Sequence, residues 1–527
     1  MTVPSLPSVH PFSGLDVPHH VAALAQHRGS HPFLVWEPFE GEGKTWSYAA
    51  FYNDVRQIAA GLQARGVKKG ERVLIHLDNC PESILAWYAC AHLGAVAVTT
   101  NARSVLAELA YYAENAEVVG AITQPKFAAL VKEACAGLRW LVVTETDNGD
   151  APSGGETSVE RTCFSSLYGD VDAVPLRAVE PFLPVGVQYT SGTTSRPKGV
   201  VWTHANALWG GKLCAAHETL TPDDVHLVYL PLFHTNAQSY SVLASLWVGA
   251  TIVVQPRFSA SRFWPVSLKH KCTWTSMVPF CLKALMAQDV PADHFYRLWG
   301  NGVANLPTDA HFGVTTMGWW GMTETITHGT VSNPYDKTTP PMTMGKPAVG
   351  YEIAVTRDDG TPVAPGETGN LLIKGIPGLS LFLEYLNNPK ATAENFDADG
   401  YFITGDKVTL LENGFLQFAD RDKDMLKVGG ENVAASEVER VIMTVPGIAE
   451  CAVVAKKDPM LDEVPVAFLL VPGGEASAPA GLADQVVTAC TRELANFKVP
   501  REIFIVDALP RSTLEKIAKA ELRKRLD

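Results

Sequence analysis

The stretch Tyr189-Thr190-Ser191-Gly192-Thr193-Thr194-Ser195-Arg196-Pro197-Lys198-Gly199 is built from hydroxyls, small residues and a lysine. An apolar, β-branched run (185–189) leads into it, and a helical pattern opening near Thr203 and Ala205 leads out. Successive small residues let backbone N–H groups turn toward an anion, hydroxyls donate further hydrogen bonds, and Lys198 adds a point charge; this is phosphate-binding chemistry. It is not a Walker loop, because Lys198 precedes Gly199 instead of following a glycine and leading into Ser or Thr. Composition alone equally allows a polar surface turn.

More groups able to do chemistry follow in a fixed order. They are Leu230-Pro231-Leu232-Phe233-His234, Trp320-Gly321-Met322-Thr323-Glu324, and Tyr401-Phe402-Ile403-Thr404-Gly405-Asp406. Arg421, Lys427, Gly430 and the run from Pro510-Arg511-Ser512 to Lys516 complete the series. Singly each has an ordinary explanation: Thr-Glu opens a helix, and a histidine after Leu-Phe packs.

The elements that must position these groups alternate. Ser47 caps a helix with Phe51, Val55, Ile58 and Leu62 on one face, stopped by Gly66. A strand over 72–77, a helix opening at Pro81 and closing at Gly94, and a strand over 95–100 come next. Strands over 225–230 and 251–254 alternate with helices over 238–247 and 261–270. Repeated βα units with apolar strands predict parallel sheets covered on both faces. After about residue 350 glycine and proline become frequent, and Asn413-Gly414 reads as a hairpin turn. A helix from Ser436, strands around Cys451 and Val466, a helix from Leu482 and a strand at Ile503 form a compact α+β end. The charged run Asp420-Arg421-Asp422-Lys423-Asp424 is the expected joint between the parts.

A chain of 527 residues exceeds one core, and 46% hydrophobic with 19% charged residues is a globular composition. The formal charge of −13 argues against a general binder of nucleic acid or anionic membranes. Nine cysteines without CxxC or metal-ligand spacing suit a reduced cytoplasm. The first fifteen residues carry no signal-peptide pattern, and the longest apolar stretch, 86–98, is too short to span a bilayer.

Taken together and in order, these motifs resemble the adenylate-forming acyl-CoA synthetase superfamily, which also holds luciferases and peptide-synthetase adenylation domains. Residues 191–199 and 427–432 look most like ligases of the crotonobetaine/carnitine-CoA type. The resemblance implies an α/β fold with a large N-terminal domain of doubly wound αβαβα sheets and a β-barrel-like subdomain (1–420). A hinge (421–424) and a small, mobile α+β C-terminal domain (425–527) complete it. It implies two steps: a carboxylate attacks the α-phosphate of ATP to give acyl-AMP and pyrophosphate, then CoA thiol displaces AMP. Charge placement and positioning carry such chemistry.

By the same resemblance, Thr190, Ser191, Gly192, Thr193, Thr194 and Lys198 hold the β- and γ-phosphates. Thr323 bonds the α-phosphate, and Glu324 holds Mg²⁺, a hard ion suited to carboxylate oxygen. Asp406 accepts the ribose hydroxyls, supported by Arg421. Gly302, Val303 and Ala304 lie along adenine, with Trp320 stacked on it. His234 gates the acyl pocket, and Lys516 bridges carboxylate and α-phosphate. Lys423 is the hinge residue, and Lys427 and Gly430 belong to the CoA side, where the missing side chain of Gly430 borders the pantetheine tunnel. The implied partners are a small carboxylic acid or its acyl-AMP, ATP and CoA, with a homodimer common among relatives.

Three positions depart from the pattern. Ser195 replaces a common glycine, as it does in the carnitine-like ligases. Glu515 precedes Lys516 where glycine is usual, and a carboxylate there pairs with the lysine and repels phosphate. Trp319 stands where a small residue separates acyl pocket from nucleotide. Glu515 and Trp319 both bear on adenylation, which raises a second reading, a protein that mainly transfers preformed acyl-AMP to CoA. An amino-acid adenylation domain is disfavoured by His234, and a nucleotide-binding relic by the presence of Glu324, Asp406, Arg421 and Lys516. Trp202, Trp209, Trp247, Trp264, Trp274 and Trp299 fall where they would line or support an acyl pocket. They favour a large apolar or ring-bearing acid, with a quaternary-ammonium acid as the alternative.

Overall fold

The computed structural model describes residues 9–147, 162–190, 196–421, 425–474, 477–510 and 517–526, without the side chains of Asp420, Arg421, Met425, Asn432, Ala434, Ser436 and Ala520. Among the described residues the strands form four sheets. Two are large and mainly parallel. In the first, Gly120–Thr123, Arg72–His76, Val96–Thr99 and Pro184–Thr190 run parallel, and Lys198–Thr203 returns antiparallel beside Pro184–Thr190. In the second, Pro32–Trp36, Thr251–Val254, Val225–Val228, Trp274–Ser276, Leu298–Asn301 and Thr315–Trp320 are parallel neighbours. Their central strands are buried and apolar along nearly their whole length, as expected when helices cover both faces.

The predicted helices form where the periodicity places them. Tyr48–Ala64 is capped by Ser47, whose hydroxyl accepts from Ala50 N at 3.2 Å, and Phe51, Val55, Ile58 and Leu62 are all buried. Pro81–Leu93 ends at Gly94, which takes the left-handed conformation (φ +80°) that favours glycine. Where one helix was read over 238–247, the chain forms a π-helical segment, Asn236–Leu243, continuing into Ala244–Val248. That widened turn follows directly on His234, and π-helical turns recur at functional sites.

The third sheet, where the barrel-like subdomain was expected, is antiparallel, ordered Glu352–Thr356, Thr368–Lys374, Phe402–Leu410, Leu416–Arg421. Its last hairpin turns at Asn413-Gly414, with Gly414 at φ +78°. The fourth sheet belongs to the C-terminal part. Glu450–Asp458 and Asp462–Leu470 form its long hairpin, Glu502–Val506 adds in parallel, and Met425–Val428 with Glu431–Ala434 makes a projecting hairpin. The helices Ala435–Ile442 and Leu482–Glu493 close over an apolar core drawn entirely from residues beyond 425.

One polar joint fixes the helix that follows the phosphate-type loop. Asn206 and Thr203 cap His204–His217 reciprocally, and Asn206 Nδ2 also donates to Leu379 O (2.9 Å) and Leu381 O (2.7 Å). Asn206→Ala removes the side-chain half of the reciprocal cap, the acceptor for Thr203 N, and takes the Nδ2 donor from Leu379 O, while Leu381 O keeps Gly378 N at 2.8 Å. It should lower unfolding free energy by roughly 2–4 kcal/mol, as read by denaturant titration.

Candidate functional site

The strand ends of the two large sheets supply the site. Pro184–Thr190 and Lys198–Thr203 are paired so that Thr190 faces Lys198 across the mouth of the loop. The Thr190 hydroxyl is buried and has no partner among the described residues, which leaves a donor group for a ligand. From the second sheet, Thr315–Trp320 runs into a short turn, Thr323–Thr325. That turn is pinned on both sides: Trp202 Nε1 donates to Thr323 O at 2.9 Å, and Phe382 N donates to Glu324 O at 2.8 Å. The Thr323 hydroxyl lies 3.2 Å from that of Thr235, which lies 2.8 Å from Gln188 Oε1.

Glu324 is the most constrained carboxylate here. It is 3% exposed; Oε1 accepts from Tyr385 Oη at 2.7 Å, and Oε2 is buried without a partner. Lys198 Nζ sits 4.1 Å from the centre of the same Tyr385 ring. Burial pushes the Glu324 carboxyl above its usual range, with the Lys198 charge opposing. A hard oxygen donor with one orphaned atom fits a divalent cation.

The adenine and ribose candidates are joined. Trp320 Nε1 donates to Asp406 Oδ2 at 2.7 Å in a buried hydrogen bond. A Cβ on Gly329 would come within 2.7 Å of the Trp320 ring, so that glycine permits the indole's position. Asp406 also pairs in register with Arg421 across the antiparallel hairpin. Gly302, Val303 and Ala304 follow the strand Leu298–Asn301; Ala304 N donates to Thr343 O at 2.9 Å, and the space where a Gly302 Cβ would stand is open to 4 Å.

The C-terminal part reaches into this crevice. Gly429 and Gly430, both at positive φ (+58° and +87°), turn the hairpin that carries Lys427 and Glu431. Glu431 Oε2 lies 2.8 Å from His234 Nε2 and accepts from Asn101 Nδ2 at 3.2 Å. Burial alone would raise the Glu431 carboxyl, but charge on His234, with Arg103 and Lys498 behind it, holds it below the usual range.

Profiles of known families match this arrangement: the AMP-binding enzyme profile fits residues 21–386, and the AMP-binding enzyme C-terminal domain profile fits residues 437–516. The chain belongs to the AMP-binding enzyme family. It is 34% identical over 515 residues to the crotonobetaine/carnitine–CoA ligase of Escherichia coli strain SE11, covering 95% of this chain and 97% of that one. The ligase of the same name from Shigella flexneri is 34% identical over 517 residues, with the same shares, 95% and 97%. Among solved structures, a double mutant of o-succinylbenzoate CoA synthetase (MenE) from Bacillus subtilis, bound to its product analogue OSB-NCoA, superposes with a TM-score of 0.82. Identity there is 27%, over 97% of this chain and 99% of that one. The same synthetase in complex with AMP gives 0.67 at 27% identity, over 97% and 98%.

The structure joins Lys198 to Glu324 through Tyr385, Trp320 to Asp406, Thr190 to Lys198 by strand pairing and Thr323 to Thr235 next to His234, while Gly302, Val303 and Ala304 follow a neighbouring strand. Ser191, Gly192, Thr193, Thr194, Ser195, Lys423, Glu515, Lys516 and the Arg421 side chain lie outside the described residues. Sequence reasoning missed Tyr385, Gln188 and Glu431; the last follows Gly430 directly, and its charge at a glycine turn was the available signal. The six tryptophans are mostly taken up by core packing. Trp264 and Trp299 pack in one core, Trp247 stacks on His20, and Trp209 bonds Tyr351, while Trp274 alone of the six stacks on Trp319.

Trp319 fits because Gly300 has no side chain: a Cβ there would fall 1.7 Å from the indole. The indole stacks on His328 (4.3 Å, 18°), with Tyr240 edge-on (5.7 Å, 77°). Behind His328 lies Glu218, fully buried, with neither carboxylate oxygen hydrogen-bonded and Oε1 3.8 Å from His328 Nε2. Burial pushes the Glu218 carboxyl and the Cys214 thiol up and the His328 imidazole down, so it opposes charge on all three groups. A carboxyl raised by folding costs stability once the unfolded chain ionises, above about pH 4.3. Glu218→Gln should therefore gain in melting temperature over the parent protein, and the gain should grow as pH rises above about 4.3 in paired thermal melts.

Proposed function

We propose that this protein is an AMP-forming acid–thiol ligase that converts a carboxylic acid to its CoA thioester through an acyl-AMP. The observation that carries the reading is the convergence of Lys198, Glu324, Thr323 and the Trp320–Asp406 pair at adjoining strand ends. The family membership and the CoA ligases among its relatives support it.

In this reading the 190–198 loop holds the β- and γ-phosphates, and the Thr323 hydroxyl bonds the α-phosphate. Glu324 holds Mg²⁺, whose bound charge offsets the phosphates during attack. Asp406 takes the ribose hydroxyls while one of its oxygens also accepts from Trp320, which fixes the carboxylate's rotation before nucleotide arrives. Lys516 bridges carboxylate and α-phosphate in the first step, and the division at 421–424 with Lys423 as hinge lets the C-terminal domain serve both steps. Lys427, Gly430 and Glu431 serve the second, beside His234.

Trp319 is stacked on His328 and Trp274, and Tyr240 Oη packs within 2.4 Å of where a Gly321 Cβ would stand, so both rings are already covered by the protein itself. We take a large apolar or ring-bearing acid as the substrate class, with a quaternary-ammonium acid of the kind named for the crotonobetaine/carnitine–CoA ligases as the alternative.

ATP–pyrophosphate exchange across both acid classes, run beside thioester formation from the matching acyl-AMPs, tests the reading. Exchange and thioester together support the full ligase; thioester from acyl-AMP alone supports the transfer-only alternative; neither refutes both. Glu324→Gln should cut exchange by about 10²–10³, as losses of groups that stabilise developing charge do. Trp320→Phe keeps the ring but loses the bond to Asp406, and should raise the KM for ATP roughly five- to tenfold with kcat little changed.

A further inference from the structure

Residues 101–108 of the large domain lie against the C-terminal domain and carry a charge that the reaction outlined above does not use. Glu108 stands in the first turn of the helix Leu106–Asn115. Its Oε2 accepts from Val105 N at 3.1 Å, which orients the carboxylate. Its Oε1 accepts from Lys498 Nζ, which also donates to Glu437 Oε1 at 3.0 Å. All three side chains are sealed from water, with exposures of 5%, 7% and 3% for Glu108, Lys498 and Glu437.

The three do not belong to one body. Lys498 and Glu437 lie in the C-terminal domain and Glu108 in the large one. If the domains part, Lys498 keeps Glu437 and Glu108 keeps Val105 N; the Glu108–Lys498 bond alone depends on docking. A buried ion pair is costly to break from one side, because the remaining charge stays without compensation. The same stretch supplies Asn101 to Glu431, so the Glu108 bond and the Glu431–His234 contact form in one arrangement.

We infer that Glu108 is a positioning residue for the thioester step: through Lys498 it holds the C-terminal domain in the orientation that places Glu431 on His234. It touches neither acid nor nucleotide. The inference rests on the two-step reading above, and it predicts a split between half-reactions that a general structural role would not give.

The test uses the full chain. Lys283 Nζ and Asp462 Oδ1 lie 2.6 Å apart across the same domain boundary, so a carbodiimide should join them only when the domains are docked. Cross-linked peptide is quantified by mass spectrometry without any ligand. Glu108→Gln, which retains an acceptor for Val105 N, should lower the cross-link yield about tenfold, the measure of a shifted docking equilibrium. With ATP, Mg²⁺ and the acid giving fastest exchange in the parent protein, exchange should stay within about twofold, while thioester formation with CoA falls about tenfold. Lys498→Met should behave alike, and the double variant should fall little further. The inference is overturned if Glu108→Gln cross-links and forms thioester at parental rates, or if exchange falls in step with thioester formation. A parent protein that makes thioester from no acid and no acyl-AMP refutes the proposed function instead; the cross-link comparison still decides the docking bond.

Discussion

Glu324 is a carboxylate buried where two sheets meet, and the surroundings are organised by the need to keep it there. Desolvating a carboxylate costs several kcal/mol unless charge or hydrogen bonds offset it. Tyr385 satisfies one oxygen, Lys198 approaches over the face of the same ring, and the turn that carries Glu324 is clamped by Trp202 and Phe382. The second oxygen remains orphaned. A site that stores an unsatisfied acceptor beside a buried lysine is prepared for a cation and for phosphate together. The parallel strands make this possible, since their ends deliver Thr190, Trp320 and the turn after it to one crevice.

A second constraint is steric. Large aromatic groups are accommodated at the end of the strand Thr315–Trp320 only because glycines face them: Gly329 against Trp320, and Gly300 against Trp319. Trp320 then gains a hydrogen bond to Asp406, linking the base-stacking candidate to the ribose candidate. Trp319 gains stacking on Trp274 and His328. The substitution that looked disruptive in the sequence has its compensation nineteen positions earlier in the chain, on the neighbouring strand.

Much of this was legible in the sequence. Strand–helix alternation, the caps at Ser47 and Thr203, the stop at Gly94 and the Asn413-Gly414 turn are local signals, and each formed as local physics requires. The order of motifs carried the family. What stayed hidden was long-range: His234 meets Glu431 and Trp320 meets Asp406 across large sequence separations, and no periodicity reports such pairs. Most of the six tryptophans pack in separate parts of the core, as core packing of such residues implies, and Trp274 stacks on Trp319.

The account stands or falls on an acyl-AMP intermediate. An acid labelled with ¹⁸O in its carboxylate, turned over with ATP, Mg²⁺ and CoA, reports it directly by mass spectrometry of the products. Attack of the carboxylate on the α-phosphate predicts that AMP emerges carrying one labelled oxygen, with unlabelled pyrophosphate. Label found in inorganic phosphate with ADP as the nucleotide product, or AMP formed without label, would contradict it.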